Sequence, residues 1–335
     1  MALDPTVRRW LSRSVTALSF VIGAWVFWRL WEDFGPSFRS LSLTTVDLAI
    51  VFLLSIPAYL VIIFRSLVLL RTLGLAAPLG AITAINVASQ AIGNLLPGGA
   101  ITELGFRTFY FVRSGLPADS AILVNTVDGF IRFATNSLLL FFVAMYFLLV
   151  NFVDDTARVT VLLGLALSLL GIAILAAALI GGLDTWFLKT AHRLGQVGET
   201  HTLADVGKLR FIDFLRSHKK AVLWASALSA IGFFLEPLQL WVLLSIAGIP
   251  LPLWAVFWLA QALALPRVLP VPGAVGVAEE SGIQFARLIG EVESLGFVAS
   301  ILWRVRLAPY IVIGLLLVPF LAFFRLAPSD KMKTI

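Results

Sequence analysis

The sequence predicts an all-α polytopic membrane protein, and three observations carry that prediction. Hydrophobic residues make up 60 % and charged residues 13 % of 335 positions, with a mean hydropathy of +0.98, whereas soluble domains are about half apolar and about a quarter charged. So few charges cannot cover a water-facing shell. The apolar residues also gather into stretches of about 20, the length that crosses hydrocarbon as a helix. Lys and Arg lie beside these stretches, where they set orientation and meet anionic headgroups. The net charge of +6 is therefore assigned to the membrane surface, and no nucleic-acid partner is expected.

Taken in order, the first expected span runs from Val15 to Trp31, preceded by Arg8, Arg9 and Arg13. It ends in bulky Trp28 and Trp31 before Glu32, without the small residues of a processing site, and is read as a retained helix and not a cleaved signal. Further spans are expected at about residues 48–70, 120–150, 159–182, 221–247 and 296–324, making six crossings. A cytoplasmic N-terminus puts Arg71, Arg113, the basic 183–220 loop and the tail with Arg325, Lys331 and Lys333 inside. Asp33, Asp154, Asp155, Glu291 and Glu293 then fall outside, in accord with the positive-inside rule. Both termini are expected on the cytoplasmic side.

Two apolar regions do not read as single spans. Residues 79–116 are interrupted by Leu96-Pro97-Gly98-Gly99, and residues 252–290 by Pro266, Pro270, Pro272 and Gly273. Proline lacks the amide that continues a helix and glycine adds backbone freedom that opposes it. Each region is expected to form two short helices around a breaker, either as a re-entrant hairpin or as a pair of short crossings. Counted as spans, they give eight or more membrane helices. Pro97, Gly98, Gly99, Pro272 and Gly273 are the expected hinge positions.

A shift of about 175 residues superimposes the two broken regions: Gly74 and Pro78 meet Gly248 and Pro252, Pro97-Gly98 meets Pro272-Gly273, and, with small gaps, Glu103 meets Glu279 and Asp128 meets Arg304. The expected organisation is a single membrane domain over 1–335. A first repeat covers 48–150, a cytoplasmic loop 183–220 and a second, inverted repeat 221–324. Inverted repeats with discontinuous helices are a recurrent plan of secondary transporters; a duplication with no transport is the alternative.

Ionisable groups inside apolar segments are costly and normally face protein, water or each other. Here they are Arg65, Glu103, Arg107, Asp128, Arg132, Glu236, Glu279, Arg287, Arg304 and Arg306. Glu103 and Arg107 are four apart, as are Asp128 and Arg132, so each pair shares a helical face. Glu103 and Glu279 follow the two breakers, in the expected first turns of the second short helices, where the amide groups favour an anion. The candidate substrate-binding set is Glu103, Arg107, Asp128, Arg132, Glu279 and Arg304. A purely structural reading makes Glu103 a helix cap and Asp128–Arg132 a fastener between spans. Arg65 is expected to snorkel to the cytoplasmic face, and Arg304 with Arg306 toward the other. Glu236 before Pro237 is open between structural pairing and proton coupling.

The chain has no cysteine, and His192, His201 and His218 all fall in one polar loop. Disulfides, thiolate catalysis and an intramembrane His or Cys metal site are thereby excluded, and no cofactor is expected. No G-x-S-x-G, H-E-x-x-H, P-loop or dinucleotide fingerprint occurs. Catalytic chemistry is therefore not expected, although Glu103 or Glu279 could in principle act as a base.

The segments Leu95-Leu96-Pro97-Gly98-Gly99 with Glu103 and Arg107, and Leu269-Pro270-Val271-Pro272-Gly273-Ala274-Val275-Gly276-Val277-Ala278-Glu279, resemble the paired signatures of the lysylphosphatidylglycerol synthase transmembrane-region family, also called flippase-like domain proteins. The resemblance spans about residues 15–325. It implies a bacterial inner-membrane module that binds or translocates a polar lipid with an anionic or zwitterionic headgroup. No acyltransferase sequence follows up to Ile335, so synthesis of lysyl-lipid is not expected. An intramembrane lipid-modifying enzyme and a non-transporting scaffold for lipid-biosynthesis enzymes are the competing expectations. Lipid identity and oligomeric state are not read from the sequence.

Overall fold

The computed structural model describes residues 21, 25, 27–37, 44–75, 78–96, 99–149, 155–181, 211, 213–264, 266 and 274–323. Its described secondary structure is helical: α1 (Thr45–Thr72), α2 (Leu79–Leu95), α3 (Gly99–Arg113), α4 (Ala118–Leu149), α5 (Asp155–Gly181), α6 (Lys219–Ile246), α7 (Leu253–Ala264), α8 (Val277–Leu288) and α9 (Glu293–Leu317), the last continued by a 3-10 turn over Val318–Phe323. Among the described residues four helices are long and apolar enough to span a bilayer: α1, α4, α6 and α9 with its extension to Leu321. The helix expected over 159–182 is present as α5, of which Val161–Ile174 is the described apolar part. Most of the span expected at 15–31, the basic 183–220 loop up to residue 210, and the tail beyond residue 323 lie outside the described residues.

Both broken regions are pairs of short helices. α2 stops at Leu95 and α3 starts at Gly99; α7 stops at Ala264 and α8 starts at Val277. Pro97, Gly98, Pro272 and Gly273 themselves lie outside the described residues. The order long helix, two short helices, long helix therefore occurs twice, as α1–α4 and α6–α9, with α5 between.

Helix ends repeat as closely as helix order. After α1 the Leu75 amide bonds back to the Leu70 carbonyl across Gly74 (φ 72°), and after α6 the Ile249 amide bonds to Leu244 across Gly248 (φ 76°). After α3 the Leu116 amide reaches Phe111 across Gly115 (φ 107°), and after α8 Glu291 reaches Ala286 across Gly290 (φ 75°). Each is a six-to-one Schellman closure, which needs a left-handed residue that glycine adopts without a Cβ clash. The paired glycines are 174 and 175 residues apart, the register of the sequence repeat.

The chain divides into two compact units, each drawn from both sequence halves. One comprises Met1–Ser55, Ser89–Glu103 and Glu236–Leu315; the other comprises Ile56–Ala88, Leu104–Leu235 and Leu316–Ile335. The second unit has a core that includes Leu69, Leu70, Ile82, Ile85, Phe111, Ala121 and Val127, all fully buried. In the first unit the helical stretch 27–37 packs on α9, with Trp31 and Phe34 ring centroids 6.2 and 5.8 Å from that of Phe297. Proline also stands inside α1. Pro57 leaves the Leu53 carbonyl without its helical amide, and the flanking Leu54 and Phe52 carbonyls accept from Gln239 Nε2 at 2.8 Å and Tyr310 OH at 2.9 Å. Side chains of α6 and α9 thus hydrogen-bond the α1 main chain beside the proline.

Short helix α8 meets α9 backbone to backbone. A Cβ on Gly282 would fall on the Gly296 carbonyl, and one on Gly296 would fall on the Gly282 carbonyl. Small residues allow this approach between membrane helices. Gly296→Ala is expected to cost about 1–3 kcal/mol or more, since main chain and not a flexible side-chain tip must move. Gly105→Ala is the control: a Cβ there meets nothing within 4 Å, and its thermal midpoint in detergent should match or exceed that of the unsubstituted protein.

Candidate functional site

The most buried charges of the second unit meet at Asp128 on α4. Arg65 on α1 donates through Nε to Oδ1 and through Nη2 to Oδ2 at 3.3 Å, while Arg107 on α3 donates through Nη2 to Oδ2 at 2.7 Å. The three are 1–3 % exposed. Neutral partners complete the shell. Arg65 Nη1 donates to Ser229 Oγ on α6 at 3.2 Å, and Arg107 Nη1 donates to Asn86 Oδ1 on α2 at 3.3 Å, an oxygen that also accepts from Ser66 Oγ at 3.1 Å. Five helices of one unit thus converge on one carboxylate. Arg132, one turn along α4 and partly buried, adds its charge to the field at Asp128.

In the first unit the counterpart is Glu279, fully buried in the first turn of α8. Its Oε1 accepts from Arg304 Nε of α9 at 2.6 Å, and its Oε2 from Arg304 Nη2 at 3.1 Å and from the Gly276 amide at 2.7 Å. Arg304 Nη2 also reaches the Ala274 carbonyl at 3.1 Å. The carboxylate is therefore held by a two-pronged guanidinium and by the helix N-terminus at once. Positive φ at Ala274 (51°) and Gly276 (82°) turns the chain so that these backbone groups face the pair.

The two centres share a plan with the charges exchanged. Arg107 and Asp128 tie the second short helix to the following long one in α1–α4; Glu279 and Arg304 do so in α6–α9, with acid and base in opposite order.

Several sequence expectations are corrected. Arg65 does not snorkel: it is 2 % exposed and locked to Asp128. The signal was available, since Arg71 already occupies the end of α1 and six helical residues place Arg65 about 9 Å deeper. Arg306 does not snorkel either. It is buried, donates to Gln239 Oε1 at 2.7 Å and the Glu236 carbonyl at 3.3 Å, and lies 3.9 Å over the Trp303 ring. Arg304 is 28 % exposed at its side chain and turned to Glu279. The expected partner of Arg107 on its own helix was Glu103; its guanidinium is directed instead to Asp128 and Asn86. Asp128 likewise hydrogen-bonds Arg65 and Arg107 of other helices, where the spacing pointed to Arg132. Glu103 begins the second turn of α3, not the first. It lies where α2 and α3 approach, its Cβ at 2.8 Å from where a Cβ on Gly93 would be. Arg287 and Glu293 form an exposed 2.7 Å pair, of the kind worth little.

Long apolar helices, interrupted helix pairs and buried carboxylate–guanidinium centres define a multi-pass all-α membrane protein. The model of the lysylphosphatidylglycerol synthase TM region matches residues 16–316. The chain belongs to that family, and with it to membrane proteins of lipid-related role. A comparison with curated proteins finds no match.

Proposed function

We propose that the protein binds a polar lipid in the bacterial inner membrane and moves its headgroup across the bilayer. The observation that carries the reading is the Arg65–Asp128–Arg107 centre. Buried ions in membrane helices are expensive, and where they occur they commonly mark a substrate or ion path. The Glu279–Arg304 pair at the head of a broken helix supports the same reading, since interrupted helices provide polar ends inside hydrocarbon. Arg107 and Arg132 in one unit, with Asp128 positioning Arg107, and Glu103, Glu279 and Arg304 in the other are the residues we propose to serve an anionic or zwitterionic headgroup. The acyl tails remain in lipid.

Recurrent helix order and cap register support a duplication, and α5 as one odd crossing would invert the second copy relative to the first. With two halves of opposite orientation, a headgroup site can be exposed to either face in turn. Reporter fusions are expected to place both termini in the cytoplasm; a terminus outside overturns the inversion.

The deciding experiment is reconstitution of purified protein in vesicles with labelled phosphatidylglycerol, phosphatidylethanolamine or lysyl-phosphatidylglycerol in one leaflet. Protein-dependent appearance of label in the other leaflet is the expected result. Formation of a modified lipid would instead identify an enzyme, and neither outcome in a well-folded preparation would identify a scaffold.

A further inference from the structure

The charge balance at Asp128 is uneven. Arg65 and Arg107 are both buried, and among the described residues of their unit Asp128 is the only buried carboxylate. Two guanidiniums answered by one carboxylate leave a surplus positive charge. A lysine could shed it by losing a proton, but an arginine in a protein stays charged. Ser229 and Asn86 accept hydrogen bonds without supplying negative charge. In addition, Arg107 Nε is buried and has no hydrogen-bond partner, although a charged donor left unmet inside a protein is costly.

We propose that this centre is an anion seat for a phosphate-type oxyanion, taken up beside Arg107, whose guanidinium is held in place by Asn86 and by Asp128, itself anchored by Arg65. A phosphate oxygen matches the planar donor fork of arginine and would both meet Nε and cancel the surplus. Asp128 is then a positioning residue, and Arg107 the group that touches the ligand. The proposal deepens the lipid-handling reading and rests on it for one source of the anion, a headgroup phosphodiester. The other source is free phosphate.

The test is thermal unfolding of the full chain in an uncharged sugar detergent with three additions: inorganic phosphate, phosphatidylglycerol in mixed micelles, and an uncharged diacylglycerol at the same mole fraction. Selective stabilisation of a binding-competent native state raises the midpoint in proportion to the logarithm of ligand concentration. The expected result is a rise of several degrees with a phosphate-bearing addition and none with diacylglycerol. A rise with inorganic phosphate assigns a free-ion source; a rise with phosphatidylglycerol alone assigns the headgroup. Arg107→Gln removes the surplus and should abolish the rise, while Asp128→Asn doubles the surplus and should enlarge it relative to its own ligand-free midpoint. A merely structural cluster would lower both ligand-free midpoints and leave the anion dependence unchanged. Equal stabilisation by diacylglycerol, or no rise in the unsubstituted protein, overturns the anion seat even where either variant fails to fold. Vesicle translocation by the unsubstituted protein is read separately. Transport without an anion-dependent midpoint sinks the seat and leaves the lipid reading, whereas an anion-dependent midpoint without transport does the reverse.

Discussion

Asp128→Ala is expected to lower the stability of the protein by about 3–5 kcal/mol, the largest effect of any single substitution considered for the buried centres. The carboxylate is 1 % exposed and both its oxygens are engaged by guanidiniums that are themselves buried. Removing it leaves Arg65 and Arg107 facing one another with only Ser229 and Asn86 as neutral acceptors. Neither guanidinium can discharge itself, and at 2 % and 3 % exposure neither is solvated as a surface arginine would be. Thermal unfolding in a mild detergent, with helicity followed by circular dichroism, measures the loss directly. One doubly substituted protein sharpens it. Asp128→Ala with Arg107→Gln restores the balance of charge around Arg65 less well than the native trio but better than Asp128→Ala alone, so it should recover part of the stability. An Asp128→Ala protein as stable as the original would mean that the guanidiniums find other anions.

Glu279→Gln is expected to abolish lipid translocation while costing only about 1–2 kcal/mol of stability. The amide keeps the volume of the carboxyl group and an oxygen that can accept from the Gly276 amide, now 2.7 Å away. Its partner Arg304 is 28 % exposed at the side chain, so water can solvate the guanidinium once the negative charge is gone. This is the physical contrast with Asp128, whose partners have no such access. Translocation per folded molecule, measured beside the thermal midpoint, separates two cases. A role confined to structure would reduce transport only in proportion to folded protein. Unchanged transport by well-folded Glu279→Gln would remove Glu279 from the functional site, and a midpoint falling as far as that of Asp128→Ala would make the pair a structural clamp.

The membrane class, the helix order and the two interruptions were legible in the sequence because each rests on local chemistry. Hydrocarbon demands about 20 apolar residues for a spanning helix, and proline and glycine act on the backbone where they stand. The recurrence of helix ends was legible for the same reason: Gly74 and Gly248 stand at local left-handed closures, which favour glycine wherever they occur. Glu279 was legible as an intramembrane charge just after a breaker, and Arg304 as one in the span that follows. Pairing was decided by tertiary structure. Arg65 and Asp128 are 63 residues apart, and Glu279 and Arg304 are 25 apart, so no helical spacing connects them. The four-residue spacings suggested Glu103 with Arg107 and Asp128 with Arg132. Helix packing instead turned Arg107 toward Asp128, because a charge buried among helices takes the partner that those helices bring within reach. By itself the sequence determined which ionisable residues fall in the apolar segments, and only the tertiary structure decided which of them share a bond. Intrahelical spacing is fixed by 3.6 residues per turn, whereas contact between helices depends on packing of small residues such as Gly282 against Gly296.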